Sequence, residues 1–464
     1  MKNLLLITSI MMLALPLSAQ TPQEAEYNQY GQKVETTFAN AKVQDGILVF
    51  EAKSINYKVW FDTRIQTDAA VFFGGPGFTA KKLDGNLNVN HIGNGAAIRR
   101  ARFAVKAQLD KNWYGEFDTD WSSGICEIKD AIIAYTGIPN LELKSGNFKE
   151  YFSISRNTTS RYLMFMERPM VTSLAPSRHL GLNATYSNKW LWIAAGVFGP
   201  ELKGAEEQTA MEKNNKDFGH NVGLSYTGKI AFRPLYKSEN SVLHIGAAIS
   251  YREPKATFTD GYGVARYSSR NSTSINRKKY LDTDLIKGLH HEIAWTAEVA
   301  GNHKGLRYEA AYMARGAYLD KNVNDKGTQW AKGWYVQASY LLFGGQQNYD
   351  SDGAKPTRIA PGRKWGDLEL ALRYEYCDFN TKDYFGGSAE AYTIGINYYP
   401  SKNIKFALNY QFNNNDRYAN GKGKLFVGYD TAGKPTKDYS KVTDSDGRAG
   451  VDYSMLAMRF QIAF

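Results

Sequence analysis

Four positively charged side chains fall at alternate positions in two stretches where the residues between them are apolar or small. Arg64 lies in the stretch 55–66, and Arg100, Arg102 and Lys106 lie in the next one. Because successive side chains of a strand face opposite sides, these cations share one face. Guanidinium is a planar fork of donors that stays charged and binds phosphate or carboxylate oxygens bidentately. The pattern predicts a wall that attracts anions.

A second group of arginines lies in a segment without alternation, from Glu150 to Arg178. This segment is rich in Tyr, Phe and Met, which favours packing inside a protein over exposure to water. Its arginines are Arg156, Arg161, Arg168 and Arg178. Basic side chains on a segment that narrows a channel suit weak binding of anions at several sites. The alternative is that these arginines pair with acids and only hold the segment folded.

Acids share the face that carries the cations, so its charge is mixed. They are Glu116, Asp118, Asp120, Asp130, Glu369 and Glu375. The whole chain has 57 basic and 46 acidic residues and a formal net charge of +11. This balance favours anionic solutes or lipid phosphates as partners, and a nucleic-acid partner is not expected.

The elements that must position these side chains are strands. Sixteen segments have the right alternation, near 55–66, 100–109, 113–121, 127–136, 140–149, 179–187, 190–198, 219–232, 241–252, 291–302, 305–318, 330–344, 365–379, 388–399, 403–413 and 450–464. They predict an all-β fold, a transmembrane antiparallel β-barrel of about sixteen strands, with fourteen or eighteen as alternatives. A barrel of this size encloses water. Mean hydropathy is −0.46, which fits strands that face lipid at every second residue.

The connections predict which loops matter. Short turns alternate with long segments near 74–96, 150–178, 199–218, 253–290 and 415–449, as in barrels with short periplasmic turns and long outer loops. The third loop, residues 150–178, is predicted to fold inward as the constriction. The segment 345–364 breaks the alternation, so either that turn is elaborated or the strand register slips there.

The two ends of the chain are also informative. Residues 1–19 have the pattern of a secretory signal peptide. Residues 20–53 are predicted to be a periplasmic extension, with a plug as the alternative, and residues 54–464 to be the barrel. The stretch 456–464 alternates and ends on Phe464, which resembles the closing strand of bacterial outer-membrane barrels.

A family resemblance emerges from several blocks in order. They are Ile98-Arg99-Arg100-Ala101-Arg102-Phe103, Lys129-Asp130-Ala131, Gly146-Asn147-Phe148-Lys149-Glu150, Phe165-Met166-Glu167-Arg168, Leu174-Ala175-Pro176-Ser177-Arg178-His179-Leu180-Gly181 and Leu372-Arg373-Tyr374-Glu375. Together they resemble the phosphate-selective porin O and P family of bacterial outer-membrane proteins.

The resemblance implies a sixteen-stranded, usually trimeric porin whose inward third loop binds phosphate or other anions. Arg100, Lys149 and Asp130 best match wall positions around the anion site, and Arg64 and either Arg161 or Arg168 match more loosely. Small anionic solutes, outer-membrane lipid and lipopolysaccharide are the expected partners, without a cofactor or metal. The chain departs from the family where Tyr151 stands in place of the usual proline.

Two other functions stay open on the sequence. A general porin for small hydrophilic or sugar-like solutes would share the fold and differ at the constriction. A barrel enzyme is disfavoured because the seven His residues are scattered and no Ser-centred nucleophile motif lies near them. His290 and His291 beside Glu292 are expected to form a pair at the rim without a metal.

Overall fold

The computed structural model describes residues 29–34, 37–44, 46–74, 92–202, 223–254, 262–416 and 452–464, and short pieces between 418 and 441. The predicted signal peptide lies outside the described residues. In chain order the strands are β1 (Asn40–Gln44), β2 (Ile47–Ala52), β3 (Tyr57–Gly74), β4 (Gly95–Gln108), β5 (Trp113–Asp120), β6 (Glu127–Ile138), β7 (Leu141–Lys149), β8 (Arg178–Ser187), β9 (Leu191–Phe198), β10 (Ser225–Phe232), β11 (Ser241–Arg252), β12 (Gly263–Ala265), β13 (Ser268–Arg270), β14 (Lys279–Asp282), β15 (Ile286–His303), β16 (Leu306–Leu319), β17 (Gln329–Leu341), β18 (Tyr349–Asp350), β19 (Lys355–Pro356), β20 (Asp367–Asn380), β21 (Phe385–Ser401), β22 (Ile404–Asn415), β23 (Tyr418–Ala419), β24 (Leu425–Phe426), β25 (Gly428–Tyr429), β26 (Pro435–Thr436) and β27 (Tyr453–Ala463). No helix among the described residues has the length and apolar character needed to cross a membrane.

Sixteen of the described strands close into one antiparallel barrel, which confirms the predicted fold class and strand number. They are β3–β11, β15–β17, β20–β22 and β27. The wall closes because β27 pairs with β3, with Met458 opposite Ala69. Closure lets the strands satisfy one another's backbone hydrogen bonds, which a wall in lipid requires.

The alternation seen in the sequence determines which side chains enter the lumen. In β22, Lys405 and Asn409 are buried inside the barrel, whereas Phe406, Leu408 and Tyr410 face outward and are exposed. A charged side chain on the lipid face would cost about 2–4 kcal/mol near the bilayer midplane. Near the middle of the membrane, charged side chains are therefore expected at the inward positions of each strand.

The connection that broke the alternation is an elaborated turn, because β17 and β20 pair in register on either side of it. We call residues 342–366 the inward turn. Tyr349 is buried, and its N–H donates to the Glu239 carbonyl at 2.8 Å. Trp192 Nε1 on β9 donates to the Asp352 carbonyl at 2.8 Å. The inward turn thus reaches from one part of the wall to another across the end of the barrel that carries the short turns.

The third loop, residues 150–177, lies inside the barrel, as predicted. It contains α1 (Ile154–Asn157) and two 3-10 turns, at Ser160–Tyr162 and Met170–Leu174. Side chains of the wall donate to its backbone carbonyls; the donors and acceptors are Arg307 and Tyr162 (2.7 Å), Lys405 and Leu163 (2.7 Å), and Asn397 and Met164 (2.8 Å). Polar groups of the lumen therefore satisfy the loop as it crosses the barrel.

A small hairpin lies beside the closing strand. β1 pairs with β2, and β2 pairs with the first residues of β3, where Val49 lies opposite Trp60. The Thr63 N–H next to this pairing donates to the Phe464 carbonyl at 2.6 Å. The hairpin thus continues the sheet beyond the end of β27. The assignment of residues 20–53 as a periplasmic extension stays a prediction.

Gly146 on β7 lies where the backbone conformation and a close contact with β6 require a glycine. Its φ is +122°, which residues with a Cβ rarely adopt, and a Cβ there would collide with the Ala131 carbonyl oxygen. We expect Gly146→Ala to lower the free energy of unfolding by about 1–3 kcal/mol, measured by urea unfolding in lipid. Gly228→Ala on β10 is the control, because a Cβ there meets open space. An equal loss in both variants would contradict this account.

Candidate functional site

Two cavities lie along the lumen, one on either side of the third loop. The outer cavity, of about 710 Å³, lies between the third loop, β4 and the fifth loop, residues 253–285. The inner cavity, of about 360 Å³, is bounded by the third loop, the inward faces of β3–β7 and the inward turn. A solute crossing the barrel past the third loop would meet both cavities.

The outer cavity is strongly basic. Among the described residues its lining has one acid, Glu167, and six cations, which are Arg99, Arg156, Arg168, Arg270, Arg277 and Lys279. Serine and threonine hydroxyls make up much of the remaining surface. An excess of positive charge in a cleft raises the local concentration of anions, and salt weakens this effect.

Lys149 and Arg168 lie at the boundary between the cavities, the first lining the inner and the second the outer. Both bind carbonyl oxygens at α1. Lys149 Nζ donates to Arg156 O at 3.1 Å, and the Arg168 guanidinium donates to Ser155 O at 2.6 Å and to Thr158 O at 2.5 Å. Neither cation makes an ion pair with a described carboxylate. Arg168 is therefore held in place without a described acid to neutralise it, and Lys149 is held beside it.

Burial does not remove the charge from the arginines of the third loop. It lowers the pKa of Arg168 to about 9, an effect to which the neighbouring Arg156 adds. It also lowers the pKa of Arg156 to about 10. Both values lie well above neutral pH, so the two guanidinium groups remain cations.

The predicted site residues are mostly brought together. Five of them line the inner cavity: Arg64, Arg102, Asp130, Lys149 and Arg161. Arg168 lines the outer cavity. Arg100 lines neither, and its Nη1 donates to Gln66 Oε1 at 2.7 Å inside the wall.

Each carboxylate that the structure describes in the lining of the inner cavity has a cationic partner. The pairs are Asp62 with Arg161 and with Lys106 (2.9 Å), Glu116 with Lys106 (3.5 Å), Asp118 with Arg102 (3.3 Å), Asp130 with Arg178 (2.7 Å) and Asp350 with Lys355 (3.8 Å). Arg64 instead donates to the hydroxyls of Ser160 and Thr159. The hypothesis that the loop arginines pair with acids thus describes Arg161 and Arg178, but not Arg156 and Arg168.

Arg99 is a lumen residue that the parity argument missed. The register of β3 and β4 shifts at this point, so that Gln66 lies opposite Arg100 and Thr67 lies opposite Ile98. Arg99 is the extra residue of this β-bulge, and its side chain binds Glu167 of the third loop at 2.6 and 3.1 Å. The sequence did hold a signal, because an arginine at a lipid-facing position would be costly and a bulge relieves that cost.

Comparison with known proteins places the chain. The profile of a family described as phosphate-selective porin O and P matches residues 74–431. The chain belongs to that family. Porin O of Pseudomonas aeruginosa is 24% identical over 373 residues, which cover 74% of this porin and 82% of that protein. An uncharacterized protein of Caulobacter vibrioides is 24% identical over 327 residues, or 69% of this porin, and the match spans only 63% of that protein's length.

A solved structure agrees on the fold. The anion-selective porin from Comamonas acidovorans superposes with a TM-score of 0.51 at 12% identity, covering 88% of this porin and all of that chain. At this identity the likeness concerns the barrel alone. Family and fold together place the porin in the bacterial outer membrane.

Glu167 of the third loop gives the porin a testable pH dependence. Burial alone would raise its pKa, but the charges of neighbouring arginines, Arg99 first, hold the pKa well below 4.5. A lowered carboxyl pKa contributes stability above the unfolded-state value, and this contribution is lost as the pH falls toward the lowered one.

We therefore expect Glu167→Gln to lower the free energy of unfolding by a constant amount between about pH 8 and pH 5, and by less below about pH 4. Urea unfolding of both proteins over a pH series measures this difference. A difference that stays constant below pH 4 would show that the charge of Glu167 does not stabilise the loop.

Proposed function

We propose that this porin is a water-filled channel for passive diffusion of small anions, with phosphate or a related anionic solute as its traffic. The proposal rests on one observation: the described acids of the inner cavity are paired with cations, whereas some of the described cations along the lumen are not paired with acids. The described carboxylates of the inner cavity each have a cationic partner. Lys149, Arg156 and Arg168 bind neutral carbonyl oxygens instead. The path thus carries net positive charge where the third loop crosses it.

The partners of these cations make exchange with a solute favourable. A hydrogen bond from an ammonium or guanidinium group to an anionic oxygen is about twice as strong as one between neutral groups, and it also exceeds a bond to a neutral carbonyl. An arriving phosphate or carboxylate can therefore replace a carbonyl at Lys149 or Arg168. Asp130, which interacts with Lys149 electrostatically, tempers this attraction so that the anion can leave again.

The outer cavity would supply the anions. Arg270, Arg277 and Lys279 of the fifth loop line it together with Arg168. Anions gathered in the outer cavity lie next to Lys149 and Arg168. An anion that enters the channel can therefore pass directly from this cavity to its first binding site. An anion is conducted through several weak sites in series only if each site binds it but also releases it readily.

A general porin with little ion preference is the second candidate. The observation in its favour is the inner cavity itself, where five described acids face the path. If their pairing with cations is incomplete in solution, cations would pass as well. The two candidates differ in the sign and size of the ion preference, which a bilayer measurement reports.

We also propose that the porin forms a homotrimer in contact with outer-membrane lipid and lipopolysaccharide. Support for the trimer comes from the family resemblance. Support for lipid contact comes from the outward apolar side chains of the wall, such as Leu372, Ile394 and Met458, which are more than half exposed in the single chain. The mass of the purified channel in detergent tests the subunit number.

The decisive variant is Lys149→Gln, which replaces the ammonium group at the boundary by a neutral amide on a slightly shorter side chain. In planar bilayers under a chloride gradient, we expect wild type to prefer anions and to be blocked by phosphate. We expect Lys149→Gln to reduce the preference and to weaken the block about tenfold, as the loss of one hydrogen bond to a charged group implies.

Lys332→Gln is the matched control, because Lys332 is exposed on the outward face of β17. It should leave both quantities unchanged. Weak selectivity without phosphate block in wild type would favour the general porin. An unchanged Lys149→Gln channel would remove Lys149 from the proposed site.

A further inference from the structure

Three charged or titratable side chains are fully buried behind the third loop, away from both cavities. They are Lys229 on β10, His244 on β11 and Glu298 on β15, with side chains that have no exposed surface. Glu298 Oε1 forms an ion pair with Lys229 Nζ at 2.5 Å and accepts from His244 Nε2 at 3.2 Å. None of the three lines the outer or the inner cavity. Their charges are thus placed where no solute passes.

The other oxygen of Glu298 holds the third loop. Glu298 Oε2 accepts the backbone N–H of Ile154, the first residue of α1, at 2.7 Å. The same short turn carries the carbonyls of Ser155 and Arg156 that bind Arg168 and Lys149. One carboxylate therefore fixes one end of the turn, whose carbonyls orient the two boundary cations.

We propose that Glu298 is a positioning residue for the anion path, acting through α1 on Lys149 and Arg168. The proposal rests on the proposed function. It assigns the ion preference of the channel partly to a residue that touches neither the solute nor the groups lining the path.

The hydrogen-bonding pattern explains why a carboxylate is needed. Glu298 accepts from His244 and from the Ile154 N–H and forms an ion pair with Lys229, which suits a group that only accepts. The amide of glutamine would turn one NH₂ toward Lys229 or toward the N–H of Ile154, and donors would then face donors.

The network also reaches the inward turn. His244 Nδ1 lies 2.7 Å from the Tyr349 hydroxyl, while its Nε2 faces Glu298. A neutral imidazole satisfies both contacts if Nε2–H donates to the carboxylate and Nδ1 accepts from the hydroxyl. Through His244, the residue that holds the third loop is thus joined to the inward turn.

The experiment compares Glu298→Gln with wild type in planar bilayers. Through charge alone, the removal of a carboxylate would raise the preference for anions. Loss of positioning predicts the opposite, a fall in the anion-to-cation permeability ratio and phosphate block weakened at least about threefold.

Glu292→Gln is the matched control, since Glu292 lies on the same strand, is similarly buried and pairs with Arg315 at 2.9 and 2.5 Å. It should leave block unchanged. A ratio in Glu298→Gln that rises or stays the same overturns the proposal.

A second readout is independent of ion selectivity. Ser155 of α1 is buried, so Ser155→Cys in a Cys126→Ser background should react slowly with a thiol reagent. The remaining Cys377 is also buried. Adding Glu298→Gln should speed the labelling of Ser155→Cys at least about tenfold as α1 loosens.

The two readouts separate the possible failures. A wild-type channel without anion preference would refute the proposed function, and the labelling rate would still report whether Glu298 holds the turn. Equal labelling rates with and without Glu298→Gln would overturn the positioning role, whatever the selectivity.

Discussion

The exclusion of charge from the lipid face is the constraint on which this structure depends. Every strand of the wall faces hydrocarbon at alternate residues near the middle of the membrane, so charged side chains at that depth have to point inward. Arg99 shows how strict the constraint is, because a β-bulge rotates it into the lumen where regular pairing would have placed it in lipid. The lumen is therefore crowded with donors and acceptors that must find partners.

The third loop provides many of these partners. Its carbonyls accept from Arg307, Asn397 and Lys405 on one part of the wall and from Lys149 and Arg168 near the path. On the first side these bonds attach the loop, and on the second they leave cations whose charge no described acid cancels. On the proposed function, structural attachment and ion preference thus depend on the same kind of hydrogen bond.

Features set by strand parity could be predicted from the sequence, whereas features set by side-chain pairing could not. Alternation alone located the sixteen strands and the inward face, on which Arg64 and Arg102 line the inner cavity. Parity cannot tell how far a side chain extends past its neighbours, so Arg100 seemed equivalent but is tied to Gln66 within the wall. Nor can it reveal contacts between distant segments, such as Ile154 with Glu298. Those depend on how the third loop crosses the barrel.

The inner cavity is lined by β3–β7, which also attach the third loop through Arg64, Arg99 and Lys149. The donors on β16, β21 and β22 hold the loop from the other side without lining that cavity. The open route is thus eccentric, and the side of the wall that faces it has two tasks at once. A change of cargo over evolution would therefore have to proceed together with a change in how the loop is attached on β3–β7, while the opposite side keeps it in the barrel.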